Sequence, residues 1–199
     1  MHQIMLATAN RGKLHELQAL LTGLPLNLVL PADLGLRQEV PETGDTYAAN
    51  AALKAQAFAS LSGLLTLADD SGLEVDALGG LPGVRSARFS PLPHATDADR
   101  RQYLLQQLGG LPRPWTAHFH CTVALASPEG GVYFADGDCP GEIIPTERGS
   151  NGFGYDPIFL LTGLGRTMAE LTTEEKNTLS HRARAIQAAL PRLRLLLSL

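Results

Sequence analysis

The stretch Leu64-Leu65-Thr66-Leu67-Ala68-Asp69-Asp70-Ser71-Gly72-Leu73 constrains the fold most: an apolar run stops abruptly at two adjacent carboxylates, a hydroxyl and a glycine. A short apolar run bounded by turn residues reads as a buried strand. The acids are then expected at its carboxyl end, where open α/β sheets bind ligands. Two like charges one residue apart repel, so burying both without a cation or a proton is costly. Oxygen ligands of this kind suit Mg²⁺ or Mn²⁺, and Mg²⁺ usually reaches a protein through one or two carboxylates plus substrate phosphates. The same residues also fit a strand followed by an Asp-Ser-Gly turn, with the acids capping a helix or facing water. Taken alone, the stretch fits that plainer reading slightly better.

The amino-terminal segment repeats the strand, polar loop, helix arrangement. Ile4-Met5-Leu6-Ala7 reads as a buried strand running into Thr8-Ala9-Asn10-Arg11-Gly12-Lys13, after which Leu14, Leu17, Leu20 and Leu21 recur at helical spacing until Gly23. Such a loop aims backbone N–H groups and a helix N-terminus at whatever lies beyond the strand, which favours phosphate, and Lys13 adds a full positive charge. The spacing is not that of a Walker motif. An Asn-capped helix with a solvated Lys13 explains the segment equally well.

Val40 to Thr46 reads as a loop ending in a helix N-cap, followed by an alanine-rich helix from about Tyr47 to Ala59. Glu42 in that loop is a metal ligand or a solvated acid. Three glycines and a proline between Gly79 and Gly83 mark tight turns, and Arg88 beyond them is a phosphate clamp or a surface charge. Thr96 and Asp97 cap a helix that runs to about Leu108 and stops at Gly109-Gly110. From Thr116 to Ala126 the pattern has period two, with Ala117, Phe119, Cys121, Val123 and Leu125 on one face, and Val132 to Ala135 returns as its hairpin partner. His118 and His120 share the polar face. A zinc site there needs a third ligand that the neighbouring residues do not offer.

Glu147 to Pro157 is a glycine-spaced aromatic loop entering the strand Ile158 to Leu161. Phe153 between its glycines lacks the spacing of a core stripe, so a planar ligand such as a base can stack there. Thr172-Thr173-Glu174-Glu175 is a capping box opening a helix that passes Lys176, Ser180, His181 and Arg182 and breaks near Pro191.

At 199 residues, 44% hydrophobic and 18% charged, the chain fits one α/β domain, with room for two lobes. Its formal charge of -4 argues against a nucleic-acid duplex or an anionic membrane as main partner. An anionic ligand then needs locally placed Lys and Arg, or a metal. Cys121 and Cys139 form no framework, the amino terminus lacks the pattern of a signal peptide, and no apolar run approaches the roughly 18 residues that span a bilayer. The expectation is a soluble, cytoplasmic protein.

Taken together, LATANRGK (Leu6 to Lys13), ETGDTYAANAALKA (Glu42 to Ala55), ADDSGLEVDALGGLPGVRSARFS (Ala68 to Ser90), GSNGFGYDPIF (Gly149 to Phe159) and ELTTEEKNTLSHRARA (Glu170 to Ala185) resemble the inosine triphosphate pyrophosphatase family over nearly the whole chain. The resemblance implies Mg²⁺-dependent hydrolysis of inosine, deoxyinosine and xanthosine triphosphates to monophosphate and pyrophosphate, with Mn²⁺ as a possible substitute. It implies an elongated α/β structure around a long mixed sheet, with a central cleft between two lobes, in one domain over 1–199, usually as a homodimer.

Carried over by position, Asp70 is the metal-binding proton acceptor and Glu42 shares the metal. Thr8, Ala9, Asn10, Arg11, Gly12 and Lys13 hold the triphosphate with help from Ser71, while Phe153, Gly154, Tyr155, Asp156, Lys176, His181 and Arg182 enclose base and sugar. Hypoxanthine offers an acceptor at its 6-oxygen and a donor at N1, and adenine reverses both. Donors from His181, Arg182 or backbone would be left unpaired against adenine, at a cost of a few kcal/mol. Between Gly131 and Thr146 the sequence is less typical, notably at Cys139. Two other classes fit the same residues: a non-hydrolytic nucleotide-binding module, and a phosphohydrolase acting on the common triphosphates or releasing orthophosphate.

Overall fold

A computed structural model describes residues 2–198. Seven strands form one mixed sheet: β1 (His2–Leu6), β2 (Leu26–Val29), β3 (Thr66–Val75), β4 (Trp115–Ala126), β5 (Val132–Ile143), β6 (Phe159–Leu161) and β7 (Arg166–Thr167), in the order β2-β1-β3-β4-β5-β6-β7. β1 runs parallel to β2 and to β3, with Ile4 opposite Leu28 and Leu6 opposite Leu67, whereas β6 is antiparallel to both β5 and β7. Among the described residues five α-helices accompany them: α1 (Arg11–Leu20), α2 (Tyr47–Ser62), α3 (Asp97–Leu108), α4 (Thr173–Leu179) and α5 (His181–Leu197). The expected mixed α/β sheet is present.

The chain divides into two compact units. The first comprises the residues up to Asp70, Cys121–Gly137 and the residues from His181 onward; the second comprises Ser71–His120 and Asp138–Ser180.

In the first unit the sheet is buried on both faces, and period two sorts its side chains. Ile4, Leu6, Leu67, Cys121, Val123 and Leu125 point to one side, where they pack with Leu17 and Leu21 from the α1 segment and Ala185, Ile186, Ala189 and Leu193 of α5. Met5, Ala7, Ala68, Ala124 and Ala126 point to the other, against Ala51, Ala55, Phe58 and Ala59 of α2. That second side is built almost entirely of small residues, so α2 can lie close to the strands. Asn10 caps α1 by accepting the Lys13 amide at 3.0 Å, Thr46 caps α2 by accepting the Ala49 amide at 3.1 Å, and Gly63 ends α2 with φ 67°.

The second unit buries one side of its strands. Leu73, Val75, Trp115, Ala117, Phe119, Cys139, Ile143 and Phe159 pack with Leu104 and Leu108 of α3. The opposite side carries Thr116, His118 and His120, paired with Asp76 at 2.6 Å, Glu74 at 3.2 Å and Asp138 at 2.7 Å. These are polar-face pairs, and among the described residues no group of three His, Cys, Asp or Glu side chains gathers to hold a metal.

The structure departs from expectation at five points. β3 does not stop at the acids; it runs through Asp69 and Asp70 to Val75, because flanking helices supply partners for both carboxyls. β5 reaches Ile143 instead of Ala135, and the short strand β2 went unread. The tail is two helices: Ser180 takes an extended backbone, φ -67° and ψ 159°, between α4 and α5. α5 then continues through Pro191, since packing of Ala189, Leu193 and Leu197 outweighs the roughly 3 kcal/mol that an interior proline costs. The capping box is present as read, with Glu175 accepting the Thr172 amide at 2.8 Å and Thr172 accepting the Glu175 amide at 3.2 Å.

Candidate active site

Strand geometry decides what the two adjacent acids are. Successive side chains on β3 point to opposite faces, so Asp69 joins the side of Leu67, α1 and α5, while Asp70 joins the side of Ala68 and α2. The two carboxylates therefore have separate environments.

Asp69 lies in a buried ion cluster. Its Oδ2 is 3.2 Å from Lys13 Nζ, accepts Arg182 Nε at 3.1 Å and lies 3.1 Å from the second arm of that guanidinium. Arg182 also donates to Glu16 of α1. Burial favours the protonated Asp69, but Lys13, Arg182 and Lys54 overrule it and hold the carboxyl well below the usual aspartate range. Burial opposes the charge on Arg182 too, and Asp69 and Glu16 outweigh that opposition. The cluster aligns Lys13, which is 14% exposed at its side chain. Asp69 Oδ1 is buried and has no hydrogen-bond partner among the described residues.

Asp70 is the opposite case. Burial pushes its carboxyl above the ordinary value, and Lys13 and Lys54 only partly offset this. Asn50 Nδ2 donates to its Oδ2 at 3.0 Å, and Lys54 Nζ stands 3.9 Å from Oδ1. Lys54 also donates to Glu42 and to the Asp69 carbonyl, each at 2.6 Å. Glu42 and Asp70 are thus gathered around one cation, and the donor set of carboxylates and a carbonyl is that of a hard divalent ion. Glu42 and Asp70 present oxygen donors of the kind such an ion takes.

Thr8, Ala9, Asn10, Arg11 and Gly12 form the loop and first turn leading to Lys13. Thr8 Oγ1 accepts the Asn10 amide at 3.2 Å, Ala9 and Arg11 are exposed, and Thr8 and Gly12 are half-buried. Ser71, next to Asp70, is half-buried.

In the second unit, Asp156 organises the aromatic loop. Its Oδ2 accepts the Phe153 amide at 3.0 Å and Lys176 Nζ at 2.6 Å, and the same ammonium stands 5.1 Å from the centre of the Phe153 ring. A Cβ on Gly152, whose φ is 76°, would meet that Oδ2 at 2.0 Å. The Gly154 amide donates to Asp97 at 2.7 Å and its carbonyl accepts Arg101 at 2.8 Å. Tyr155 is buried at 4% exposure, and its hydroxyl donates to the Ser86 carbonyl at 2.9 Å. Phe153 is the half-buried aromatic of the loop, while Tyr155 fastens it.

Lys176 and His181, both buried, belong to different helices and different units, separated by the break at Ser180. Arg182, expected at the base, is 1% exposed and bonded to Asp69 and Glu16.

Asn50, Lys54 and Glu16 escaped the sequence reading. Asn50 and Lys54 are one turn apart in an alanine-rich helix, and Glu16 is one turn from Lys13. That spacing was the available signal.

A family model described as the Ham1 family matches residues 4–192. A dITP/XTP pyrophosphatase of Geobacter sulfurreducens is 48% identical over 187 residues, covering 94% of each chain. Another, from a Nostoc species, is 48% identical over 197 residues, covering 98% of this chain and 96% of the relative. Among solved structures, a HAM1 protein from Coxiella burnetii superposes with a TM-score of 0.87 at 40% identity, covering 100% of this chain and 99% of that one.

Proposed function

Since the chain belongs to the Ham1 family, we infer that it is a nucleoside triphosphate pyrophosphatase, hydrolysing noncanonical purine nucleoside triphosphates to the monophosphate and pyrophosphate. The observation that carries the catalytic assignment is the separation of the two acids by β3: Asp69 is locked among cations, while Asp70, with a raised proton affinity, stands beside Glu42, Asn50 and Lys54.

The substrates we propose are inosine, deoxyinosine and xanthosine triphosphates, with Mg²⁺ as cofactor and Mn²⁺ as a substitute. Glu42 and Asp70 would hold the metal, which supplies charge neutralisation on the phosphates and acidifies bound water. Lys13, aligned by Asp69, binds a phosphate oxygen as a point charge. The loop from Thr8 to Gly12 contributes amides and the N-terminal end of α1, and Ser71 adds a hydroxyl. Asp70 accepts a proton from the attacking water as the α–β anhydride bond breaks, and pyrophosphate departs. Lys13, Glu42 and Asp70 already stand beside charged partners, so little reorganisation is needed there.

For the base, Phe153 offers a face for stacking, Asp156 holds Phe153 and Lys176 in place, and His181 supplies a donor suited to a 6-oxo purine. The donors of Arg182 are directed at Asp69 and Glu16, which gives it a part in holding the phosphate end. Gly154 and Tyr155 shape the loop. We also propose that the whole chain acts as one catalytic domain, that it works as a homodimer as the family resemblance implies, and that it resides in the cytoplasm. The described residues include no helix long and apolar enough to cross a membrane.

The test is a panel of nucleoside triphosphates incubated with the protein and Mg²⁺, with the leaving group identified. Inosine and xanthosine triphosphates should turn over far faster than adenosine triphosphate, and pyrophosphate should be the initial product. Comparable kcat/KM for adenosine triphosphate, or stepwise loss of orthophosphate, would overturn the reading.

A further inference from the structure

The ammonium of Lys54 sits among the oxygens that the proposed function gives to the metal. It is 2.6 Å from Glu42 Oε1, 2.6 Å from the Asp69 carbonyl and 3.9 Å from Asp70 Oδ1. A divalent cation drawn to Glu42 and Asp70 meets an ammonium already in contact with one of them and near the other. Two cations at such distances repel strongly in a partly buried site. They are alternatives for the same oxygens.

Asp70, in contrast, is anchored independently of Lys54. Asn50 Nδ2 holds Oδ2 of Asp70 at 3.0 Å, which leaves Oδ1 turned to the cation. The other end of the Asn50 amide accepts the Gly44 N–H at 2.8 Å and so ties the Glu42 loop to α2. The approach at that point is close, since a Cβ on Gly44 would meet Ala49 Cβ at 2.6 Å. Asn50 itself is fully buried. One side chain thus holds the Asp70 carboxylate and, through Gly44, the backbone of the loop that carries Glu42, while Lys54 lies one turn further along the same helix.

We propose that Lys54 is a resident counter-cation that competes with the divalent metal for Glu42 and Asp70. Resting on the metal assignment above, the proposal has a direct consequence. With Lys54 seated, the two carboxylates present a net charge of -1 and bind a divalent ion weakly. When the triphosphate arrives with its metal, the added negative charge and phosphate ligands tip the competition, and the ammonium is released towards a phosphate oxygen. Metal binding is thereby made conditional on substrate.

The probe is Mn²⁺ alone, titrated into the nucleotide-free full-length protein at fixed pH and ionic strength, with unbound Mn²⁺ followed by electron paramagnetic resonance. Lys54→Met should bind Mn²⁺ about ten-fold more tightly than wild type or better, because a competing charge is gone while Asn50 still holds Asp70 and the backbone of the Glu42 loop. Lys54→Arg, which keeps the charge, should remain as weak as wild type. Adding Glu42→Gln to Lys54→Met should return the affinity to the wild-type level. Equal or weaker Mn²⁺ binding by a Lys54→Met protein with an intact melt overturns the proposal.

The underlying metal assignment is checked separately. Mn²⁺ is titrated in the presence of an inosine triphosphate analogue bearing nitrogen between the α and β phosphorus atoms. If that binding ignores Glu42→Gln, the metal assignment falls and the competition falls with it. If it depends on Glu42 while Lys54→Met fails to tighten nucleotide-free binding, the competition alone is wrong.

Discussion

Asparagine at position 70 keeps the shape of the carboxyl and removes its basicity and charge. Loss of a general base slows turnover by about 10² to 10⁴, and weaker metal binding moves the result towards the upper end. Nucleotide affinity should change much less, because Lys13 and the base-side residues remain. The check is single-turnover hydrolysis of inosine triphosphate beside equilibrium binding; full activity in a folded Asp70→Asn protein removes Asp70 from the chemistry. Asp69→Asn should show itself in stability instead. The Asp69 carboxyl lies below the ordinary value of 3.8 in the folded chain. A depressed group stabilises the fold above its unfolded value and loses that contribution as pH falls through the folded value. The stability gap between wild type and Asp69→Asn in urea unfolding should therefore be full at about pH 6 and shrink below pH 3.8. A gap constant down to strongly acidic pH would show that Asp69 is not held ionised by Lys13 and Arg182. Lys13→Ala should raise KM for every triphosphate while leaving the inosine-to-adenosine preference nearly intact, if its charge has the proposed role on phosphate and none on a base edge. An altered preference at unchanged absolute rate would refute that role.

At the scale of elements, the aromatic loop depends on a glycine that no larger residue can replace. Gly152 has φ 76°, and a Cβ there would stand 2.0 Å from the Asp156 oxygen that Lys176 and the Phe153 amide share. Gly152→Ala should cost about 1–3 kcal/mol of stability from backbone strain. It should also raise KM for inosine triphosphate more than it lowers kcat, because Phe153 is displaced while Asp70 is untouched. Steady-state kinetics with a thermal melt test this; an unchanged KM would separate the loop from the substrate. Glycine spacing made this loop legible in the sequence, as caps and apolar runs made legible α1, α2, α3 and β1. The course of β3 through its acids was not legible, because a strand with charged residues inside reads as a strand that has ended. Only the helices on either side, distant in sequence, supply Arg182 from α5 and Asn50 from α2. For the same reason Lys54 carried no local signal of its partners: Glu42 and the Asp69 carbonyl are brought to it by tertiary packing. The break at Ser180 was hidden because no Gly or Pro marks it, and β2 by its shortness.

At the scale of the molecule, β3, β4 and β5 each have residues in both compact units, the divisions falling after Asp70, after His120 and after Gly137. A strand cannot lose half its length without loosening the ladder of the other half, so thermal unfolding should follow one cooperative transition. That makes the melting temperature a reporter of ligand binding anywhere on the fold. The chain carries a formal charge of -4 and is proposed to bind a polyanion, so its affinity must come from placed groups such as Lys13 and the metal, with no help from overall charge. A ligand that binds only the folded state adds about 2.7 kcal/mol at a hundred times its dissociation constant. At roughly 2–4 °C per kcal/mol for a chain of this size, the shift is roughly 5–11 °C. The nitrogen-bridged inosine triphosphate analogue with Mg²⁺ should raise the melting temperature by that amount. The adenosine counterpart at the same concentration should raise it far less, because it leaves the 6-oxo donors unpaired. Differential scanning fluorimetry over a concentration series, with and without chelator, measures both. Equal shifts from the two nucleotides would place discrimination in the chemical step and remove the Phe153 to Asp156 loop and His181 from base recognition. An inosine shift that survives the chelator in full would remove Glu42 and Asp70 from metal binding.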